Sequence, residues 1–273
     1  MKKGLASSKE RARPQAPLWA FGVLIAVLIV LYLPIIVMMV NSVLVKTDTW
    51  HFGFDWYLQI WNDEELVDAL VRSLEVGLIS STVATLISGM AAIALLRSRF
   101  RWAHIVNSLS YLSLILPELV FALALLSWFF VLKIQLSLMT VIFAHVTFSL
   151  SFVLMTVNGR LATLDVSIED AARDLGASEM TILRRVIVPA VLAALASGFL
   201  LSFLLSFDDF LITFYTSGVG SDTLPIRLYT AMKVGLNAKL SALATLMFLL
   251  TFTLIMGLTK MRGLRQILTE EGH

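Results

Sequence analysis

The fold is decided by the stretch Asp165-Val-Ser-Ile-Glu-Asp-Ala-Ala-Arg-Asp-Leu-Gly-Ala-Ser-Glu-Met-Thr-Ile-Leu-Arg-Arg-Val-Ile-Val-Pro189, a polar and small-residue island between long apolar runs. Ser167, followed three residues later by Asp170, is typical of the capping box that begins a helix. Gly176 predicts the end of that helix, because glycine adopts the left-handed conformation of a C-terminal cap at little cost. The first half of the island is therefore predicted to be a short helix.

The second half of the island predicts another helix, which continues into the next apolar run. Ser178 is a residue type that caps helices, and the helix that it begins would contain the basic pair Arg184 and Arg185. Pro189 falls near the start of the apolar run, where a missing backbone N–H is tolerated. We therefore predict that the island is a bent pair of helices.

The composition excludes a soluble domain. Hydrophobic residues make up 58% of the 273 residues, and the mean hydropathy is +0.87, whereas soluble domains are about 45–50% apolar. The small net charge of +2 does not indicate nucleic-acid binding. The absence of cysteine excludes disulfides, thiolate metal sites and cysteine nucleophiles. We therefore expect an integral membrane protein in contact with a lipid bilayer.

Six apolar runs are long enough to cross a bilayer. A helix rises 1.5 Å per residue, so about 20 residues span the roughly 30 Å hydrocarbon core. The first run has 23 residues without a charge, whereas the apolar core of a cleaved signal peptide has about 7–15. We predict tails at 1–17 and 260–273 and six transmembrane helices at 18–40, 74–96, 105–132, 138–157, 186–207 and 240–259.

The basic residues orient these six helices. If both termini lie on one side, 15 of the 21 Lys and Arg residues fall on the side of the tails and the island, and 6 fall on the other side. Loops rich in Lys and Arg stay in the cytoplasm. We therefore expect both termini, and the helix pair at about residues 167–185, to be cytoplasmic.

The chain carries no recognisable motif for nucleotide or metal binding. The phosphate-binding pattern G-x-x-x-x-G-K-[ST] does not occur, so ATP would have to be bound by another chain. Of the four histidines, only His145 falls inside a predicted span, and paired haem ligands are missing. We interpret His145 as a packed or hydrogen-bonded helix residue, a common use of polar side chains in membrane helices.

The island resembles the EAA motif of permease subunits in bacterial ABC importers. The matching residues are Asp170, Ala171, Ala172, Gly176, Val186, Val188 and Pro189. Asp170 stands where that family usually has Glu, and Glu169 directly precedes it, so either acid is a candidate for the family's contact. The resemblance implies that the helix pair docks on an ATPase subunit through Glu169, Asp170, Ala171, Ala172, Gly176 and Pro189.

Further segments are similar to the polyamine (spermidine/putrescine) importers within that family. They are Asp174-Leu-Gly-Ala-Ser-Glu-Met-Thr-Ile-Leu-Arg, Leu201-Ser-Phe-Leu-Leu-Ser-Phe-Asp-Asp, Ala144-His-Val-Thr-Phe and Asn237-Ala-Lys-Leu-Ser-Ala-Leu-Ala-Thr. The resemblance implies an all-α type I ABC importer permease fold in a bacterial inner membrane. It also implies a heterodimer with a sister permease, two copies of an ATPase subunit that bind ATP and Mg²⁺, and a periplasmic polyamine-binding protein, with no cofactor in this chain.

The small residues of the island suit a docking role. Ala171 and Ala172 keep one helical face thin, so another protein can approach the backbone closely. The alternative is an amphipathic helix that lies on the membrane surface, which the flanking arginines would also fit.

Three acids interrupt the apolar runs: Glu118, Asp208 and Asp209. A carboxylate near the bilayer centre costs about 2.5–3.5 kcal/mol on insertion scales, so such acids usually face a cavity or a partner. Pro117 is expected to kink the third span beside Glu118, because it removes a backbone donor. Asp208 and Asp209 are about 100° apart on a helix, so they cannot both face one pore axis. The acids are candidates for a cation pathway, with a structural role at a helix end as the alternative.

Nearby aromatic residues are further candidates, since a cation over an aromatic ring gains about 0.5–2 kcal/mol. We place Trp128, Phe207, Phe210 and Tyr215 on the pathway as a hypothesis, against the alternative of packing or lipid contact. The sequence thus predicts a polyamine permease subunit that is not itself an enzyme. A permease for another solute, a secondary transporter and a structural membrane subunit are the alternatives.

Overall fold

The chain folds almost entirely into helices. The structure is a computed structural model that describes residues 18–46, 50–97, 103–235 and 237–270, so the predicted tail at 1–17 lies outside the described residues. Two short strands, β1 (Leu44–Lys46) and β2 (Trp50–Phe52), form an antiparallel hairpin, a small departure from the predicted all-α fold. The helices are α1 (Leu18–Val43), α2 (Asp55–Trp61), α3 (Glu64–Arg97), α4 (Ala103–Ser110), α5 (Leu112–Ile115), α6 (Glu118–Val131), α7 (Leu138–Leu161), α8 (Val166–Asp174), α9 (Glu179–Ile182), a π-helical turn (Leu183–Ile187), α10 (Val188–Phe207), α11 (Leu211–Thr216), α12 (Leu224–Val234) and α13 (Ala238–Glu270).

Five of the six predicted spans are confirmed as helices long and apolar enough to cross a membrane. They are Trp19–Val43, Glu64–Leu95, Leu138–Leu161, Glu179–Phe207 and Ala238–Gly257. Where the sequence predicts a second tail from residue 260, helix α13 continues to Glu270.

The predicted span at 105–132 is not one continuous helix. This segment is divided among α4, α5 and α6, and it is interrupted at Leu116 and Pro117, where the backbone is extended with ψ of 136° and 134°. Proline has no N–H to donate and restricts the preceding residue to extended conformations, so a break replaces the expected kink. At 14 residues, α6 is only about 21 Å long.

The centre of the fold is formed by α3, α7 and α10, which pack on one another along much of their length. Small residues permit this close packing. A Cβ at Gly198 of α10 would lie only 3.1 Å from the side chain and 3.4 Å from the Cα of Val153 on α7. At the periphery, α11 packs against α6 and α7, while α1 packs against α13 and leaves most of its apolar surface exposed.

Candidate functional site

A cavity of about 470 Å³ lies where two interrupted helices meet. One interruption precedes α6, which begins at Glu118, and the other separates α10 from α11 at Asp208 and Asp209. The remaining lining residues are Phe148, Leu201, Leu204, Leu205, Phe210, Leu211, Thr251 and Ile255. The cavity therefore brings the three predicted acids together within mostly apolar walls.

The two neighbouring aspartates of this cavity have different environments. Asp208 ends α10 and is exposed, whereas Asp209 is only 8% exposed. The Asp209 carboxylate accepts hydrogen bonds from the N–H of Ile212 at 3.2 Å, the N–H of Thr213 at 2.8 Å and the hydroxyl of Thr213 at 2.8 Å. Asp209 therefore caps the start of α11, which is the structural alternative that the sequence left open.

Glu118 completes the group of acids from the other side of the cavity. It is the first residue of α6 and is partly buried, and its carboxyl group lies within hydrogen-bonding reach of that of Asp209. The break at Pro117 ends α5 and starts α6 anew, so Glu118 lies in the first turn of a helix, where backbone N–H groups favour a negative charge.

His145 joins this cluster from behind. Its ring is 2% exposed; Nδ1 lies 2.6 Å from Ser206 Oγ, and Nε2 lies 2.9 Å from Thr213 Oγ1 and 3.3 Å from Asp209 Oδ2. The interpretation of His145 as a hydrogen-bonded helix residue is confirmed. Its link to Asp209 escaped the sequence analysis, because it depends on which helices meet.

The aromatic candidates do not share one location. Phe210 lines the cavity, whereas Phe207 is 1% exposed and stacks on Phe203 in the core, so its ring is not on the cavity wall. Tyr215 packs with the cluster between α6, α7 and α11, and Trp128 is exposed near the far end of α6. Of the four predicted aromatics, the structure brings only Phe210 to the acids.

The polar island forms the predicted bent pair of helices, α8 and α9, but it begins earlier than predicted. The N-terminal cap is Asp165, which accepts from the N–H of Ser167 at 2.9 Å, so the expected cap at Ser167 is wrong. This hydrogen bond lowers the pKa of the Asp165 carboxyl. Both residues are good capping types, and the earlier one is used.

The turn between α8 and α9 has the predicted chemistry. Gly176 has a φ of +79°, which confirms the left-handed conformation. The N–H of Gly176 donates to the carbonyl of Arg173 and the N–H of Ala177 donates to that of Ala172, so the turn is a Schellman motif. Ser178 caps α9 by accepting from the N–H of Thr181, as predicted.

The outer face of α8 carries an apolar stripe that the sequence analysis missed. Ala171 is exposed, with Ile168 and Leu175 beside it at helical spacing, and Leu175 is 89% exposed. Ala172, by contrast, packs partly buried against this chain's own core. The two alanines therefore lie on different faces of α8: Ala171 is exposed, and Ala172 packs inward.

Charged residues beside the stripe are tied together by Arg173. Its guanidinium contacts Glu179 at 3.0 Å, Asp170 at 2.9 Å and Glu169 at 3.5 Å, which raises the pKa of Arg173 chiefly through Glu179. The side chain of Asp170 is 64% exposed and that of Glu169 is 16% exposed. Asp170 is therefore the more accessible of the two acids that the sequence left undecided.

A π-helical turn connects this pair to the long helix α10. Pro189 is the second residue of α10, and the turn Leu183–Ile187 directly precedes that helix. Because proline donates no hydrogen bond and its ring clashes with the carbonyl four residues earlier, a widened turn relieves the conflict. The α9 segment, the π turn and α10 thus form one helical rod from Glu179 to Phe207.

Solved structures with the same fold are ABC importers. The chain is similar to the crystal structure of a bacterial ABC transporter involved in the import of the acidic polysaccharide alginate, with a TM-score of 0.66, 11% identity, and coverage of 89% of this chain and 94% of that chain. It is also similar to the inward-facing MetNI methionine ABC transporter, with a TM-score of 0.61, 16% identity, and coverage of 75% and 96%. The predicted type I ABC importer permease fold is confirmed at this level.

Comparison with characterised sequences gives the family. The chain is 39% identical to the spermidine/putrescine permease PotC of Haemophilus influenzae over 82% of this chain and 89% of that protein. It is 38% identical to PotC of Escherichia coli over 86% and 90%, and 32% identical to the putrescine permease PotI of Escherichia coli over 84% and 85%. The fold and these relatives define a subunit of a membrane transport system. The chain belongs to the binding-protein-dependent transport system inner membrane components, whose family model matches residues 81–264.

Proposed function

We propose that this chain is a permease subunit of an ATP-driven importer that takes up polyamines delivered by a periplasmic binding protein. The observation that carries the proposal is the cavity with Glu118, Asp208 and Asp209, since multiple carboxyl groups in apolar walls suit a multivalent cation. The named activities of the PotC and PotI relatives support the same substrate class.

The proposed topology has six crossings with both termini in the cytoplasm. Five long apolar helices supply five crossings, and the interrupted segment α4–α6 supplies the sixth. A break in a helix within the membrane is tolerated where its backbone lines a cavity. The break at Pro117 lies beside the cavity that contains the three acids. The 15 to 6 distribution of Lys and Arg supports the orientation.

Within the cavity, Glu118 and Asp208 are the proposed ligands for ammonium groups. An ammonium group has three N–H donors and needs acceptor oxygens that remain free. Asp209 is occupied as the cap of α11, whereas Asp208 is exposed. Phe210 is the one predicted aromatic that lines the same cavity, where its ring is available to a cation.

The helix pair α8–α9 would couple ATP hydrolysis in a partner to transport by this chain. We place an ATPase subunit, which binds ATP and Mg²⁺, on the stripe of Ile168, Ala171 and Leu175. Asp170 lies beside this stripe with an exposed carboxylate. A second ATPase copy would dock on a sister permease. The sister permease would complete the wall of the pathway on the side that this chain leaves open. Movement of the helix pair would reach the acidic cavity along the rod that ends at Phe207.

Uptake by cells tests the pathway. In cells that lack other polyamine importers and express the whole transporter, Glu118→Gln and Asp208→Asn should each reduce labelled spermidine uptake by about tenfold or more, because a cation loses a charged ligand. Glu75→Gln, an exposed acid outside the cavity, is the matched control. Wild-type rates in both cavity variants would reject the proposed ligands, and wild-type cells that accumulate no polyamine would reject the substrate class.

A further inference from the structure

His145 lies in a chain of hydrogen bonds, and its contact with Thr213 fixes which ring nitrogen carries a hydrogen. The Thr213 hydroxyl donates its single hydrogen to Asp209 Oδ2, so at its contact with His145 the Thr213 oxygen is the acceptor. Nε2 of His145 therefore carries a hydrogen. On the other side of the ring, Nδ1 is bonded to Ser206, whose hydroxyl also contacts Ser80 at 3.2 Å.

This chain of hydrogen bonds joins four helices, of which α7, α10 and α11 line the cavity. Ser80 belongs to α3, His145 to α7, Ser206 to α10 and Thr213 to α11. The ring of His145 on α7 is thus a buried link to Ser206 of α10 and Thr213 of α11.

The hydrogen-bond donors around Asp209 determine how many acceptor sites of its carboxylate remain open to the cavity. A carboxylate has about four acceptor sites. Oδ2 accepts from two groups of Thr213 and lies 3.3 Å from His145 Nε2, while Oδ1 accepts from Ile212. Oδ2 therefore has no acceptor site left, whereas one acceptor site on Oδ1 remains.

We propose that His145 is a positioning residue of the cation pathway, and this inference rests on the proposed polyamine transport. The Nε2–H of His145 donates to the Thr213 oxygen and so orients the Thr213 hydroxyl, which in turn donates to Oδ2 of Asp209. Glu118 and Asp208 are thereby left as the carboxyl groups that set the charge spacing of the cavity. Removal of that donor changes the spacing and so changes the preference between a dication and a trication.

Two substitutions of His145 by amide side chains of different length test this role. Glutamine places an amide N–H near the position of Nε2, whereas asparagine reaches only the position of Nδ1. We expect His145→Gln to keep the wild-type ratio of spermidine to putrescine uptake. His145→Asn should change that ratio by roughly threefold or more, the scale of one hydrogen bond. Uptake is normalised to the amount of chain in the membrane.

A matched control separates positioning from loss of packing. Thr140, also on α7, donates a buried hydrogen bond of 2.7 Å to the carbonyl of Thr216 at the end of α11 and touches none of the acids. Thr140→Val should lower the amount of chain without changing the ratio. If the His145→Asn chain does not accumulate in the membrane, Thr213→Val is measured instead. It removes the hydroxyl between His145 Nε2 and Asp209, so it should shift the ratio of spermidine to putrescine uptake in the same direction.

The outcomes distinguish the positioning role of His145 from the proposed polyamine transport. A shifted ratio in His145→Asn or Thr213→Val, with a wild-type ratio in His145→Gln and Thr140→Val, supports the positioning role. An unchanged ratio in the two network variants, or an equal shift in Thr140→Val, overturns it while polyamine transport stands. Absence of polyamine uptake by the wild-type transporter overturns the proposed function instead.

Discussion

Asp208 and Asp209 are adjacent in sequence, yet the end of α10 gives them separate tasks. The chain leaves the helix between them, so Asp209 turns inward to cap α11 while Asp208 stays exposed beside the cavity. A buried carboxylate is stable only when hydrogen bonds replace its hydration, and three donors from α11 provide this for Asp209. One acid therefore maintains the break, and the other is available to a cation.

Alanine substitutions of the two acids should separate these tasks. Asp209→Ala leaves buried donors of Ile212 and Thr213 unsatisfied, and each such group costs about 1–3 kcal/mol. We expect a clearly lower midpoint of thermal unfolding in detergent, whereas Asp208→Ala should keep the wild-type midpoint and lose uptake. Equal midpoints for the two variants would contradict the division of tasks.

Helix α8 has one face packed against the core of this chain and one exposed apolar face. Ala172 packs inward, and Ala171 lies on an outward stripe with Ile168 and Leu175. The Schellman turn at Gly176 and the contacts of Arg173 hold α8 at a fixed angle to α9. A rigid, thin and apolar outer face suits a groove in another protein better than it suits a lipid surface, which would favour a basic rim.

Bulk on the outward alanine should block docking without harm to the fold. We expect Ala171→Trp to abolish co-purification of the ATPase subunit, while this chain and the sister permease accumulate normally. Ala162→Trp, an exposed alanine between α7 and α8, is the control and should retain the ATPase. Normal recovery of the ATPase with Ala171→Trp would refute docking at this stripe.

At the scale of the whole molecule, local signals were predictable and contacts between helices were not. Apolar runs gave five spans because hydropathy is a property of each segment, and Gly176 was predictable because few residues adopt its φ. The break at Pro117 was underestimated, since apolar residues on both sides conceal the loss of helix. The core position of Phe207 and the link from His145 to Asp209 were not predictable, because the core around Phe207 includes residues of α3 and α13, and Asp209 lies outside the helix of His145.

The central claim is that ATP hydrolysis in a partner drives polyamines past the acids of this chain. The most direct test is labelled putrescine accumulation in proteoliposomes that contain the chain, its sister permease and the ATPase subunits, with the binding protein added outside. We expect accumulation only when ATP and Mg²⁺ are enclosed and the binding protein is present, and we expect Asp208→Asn to abolish it. Accumulation without ATP, or accumulation unaffected by Asp208→Asn and Glu118→Gln, would contradict it.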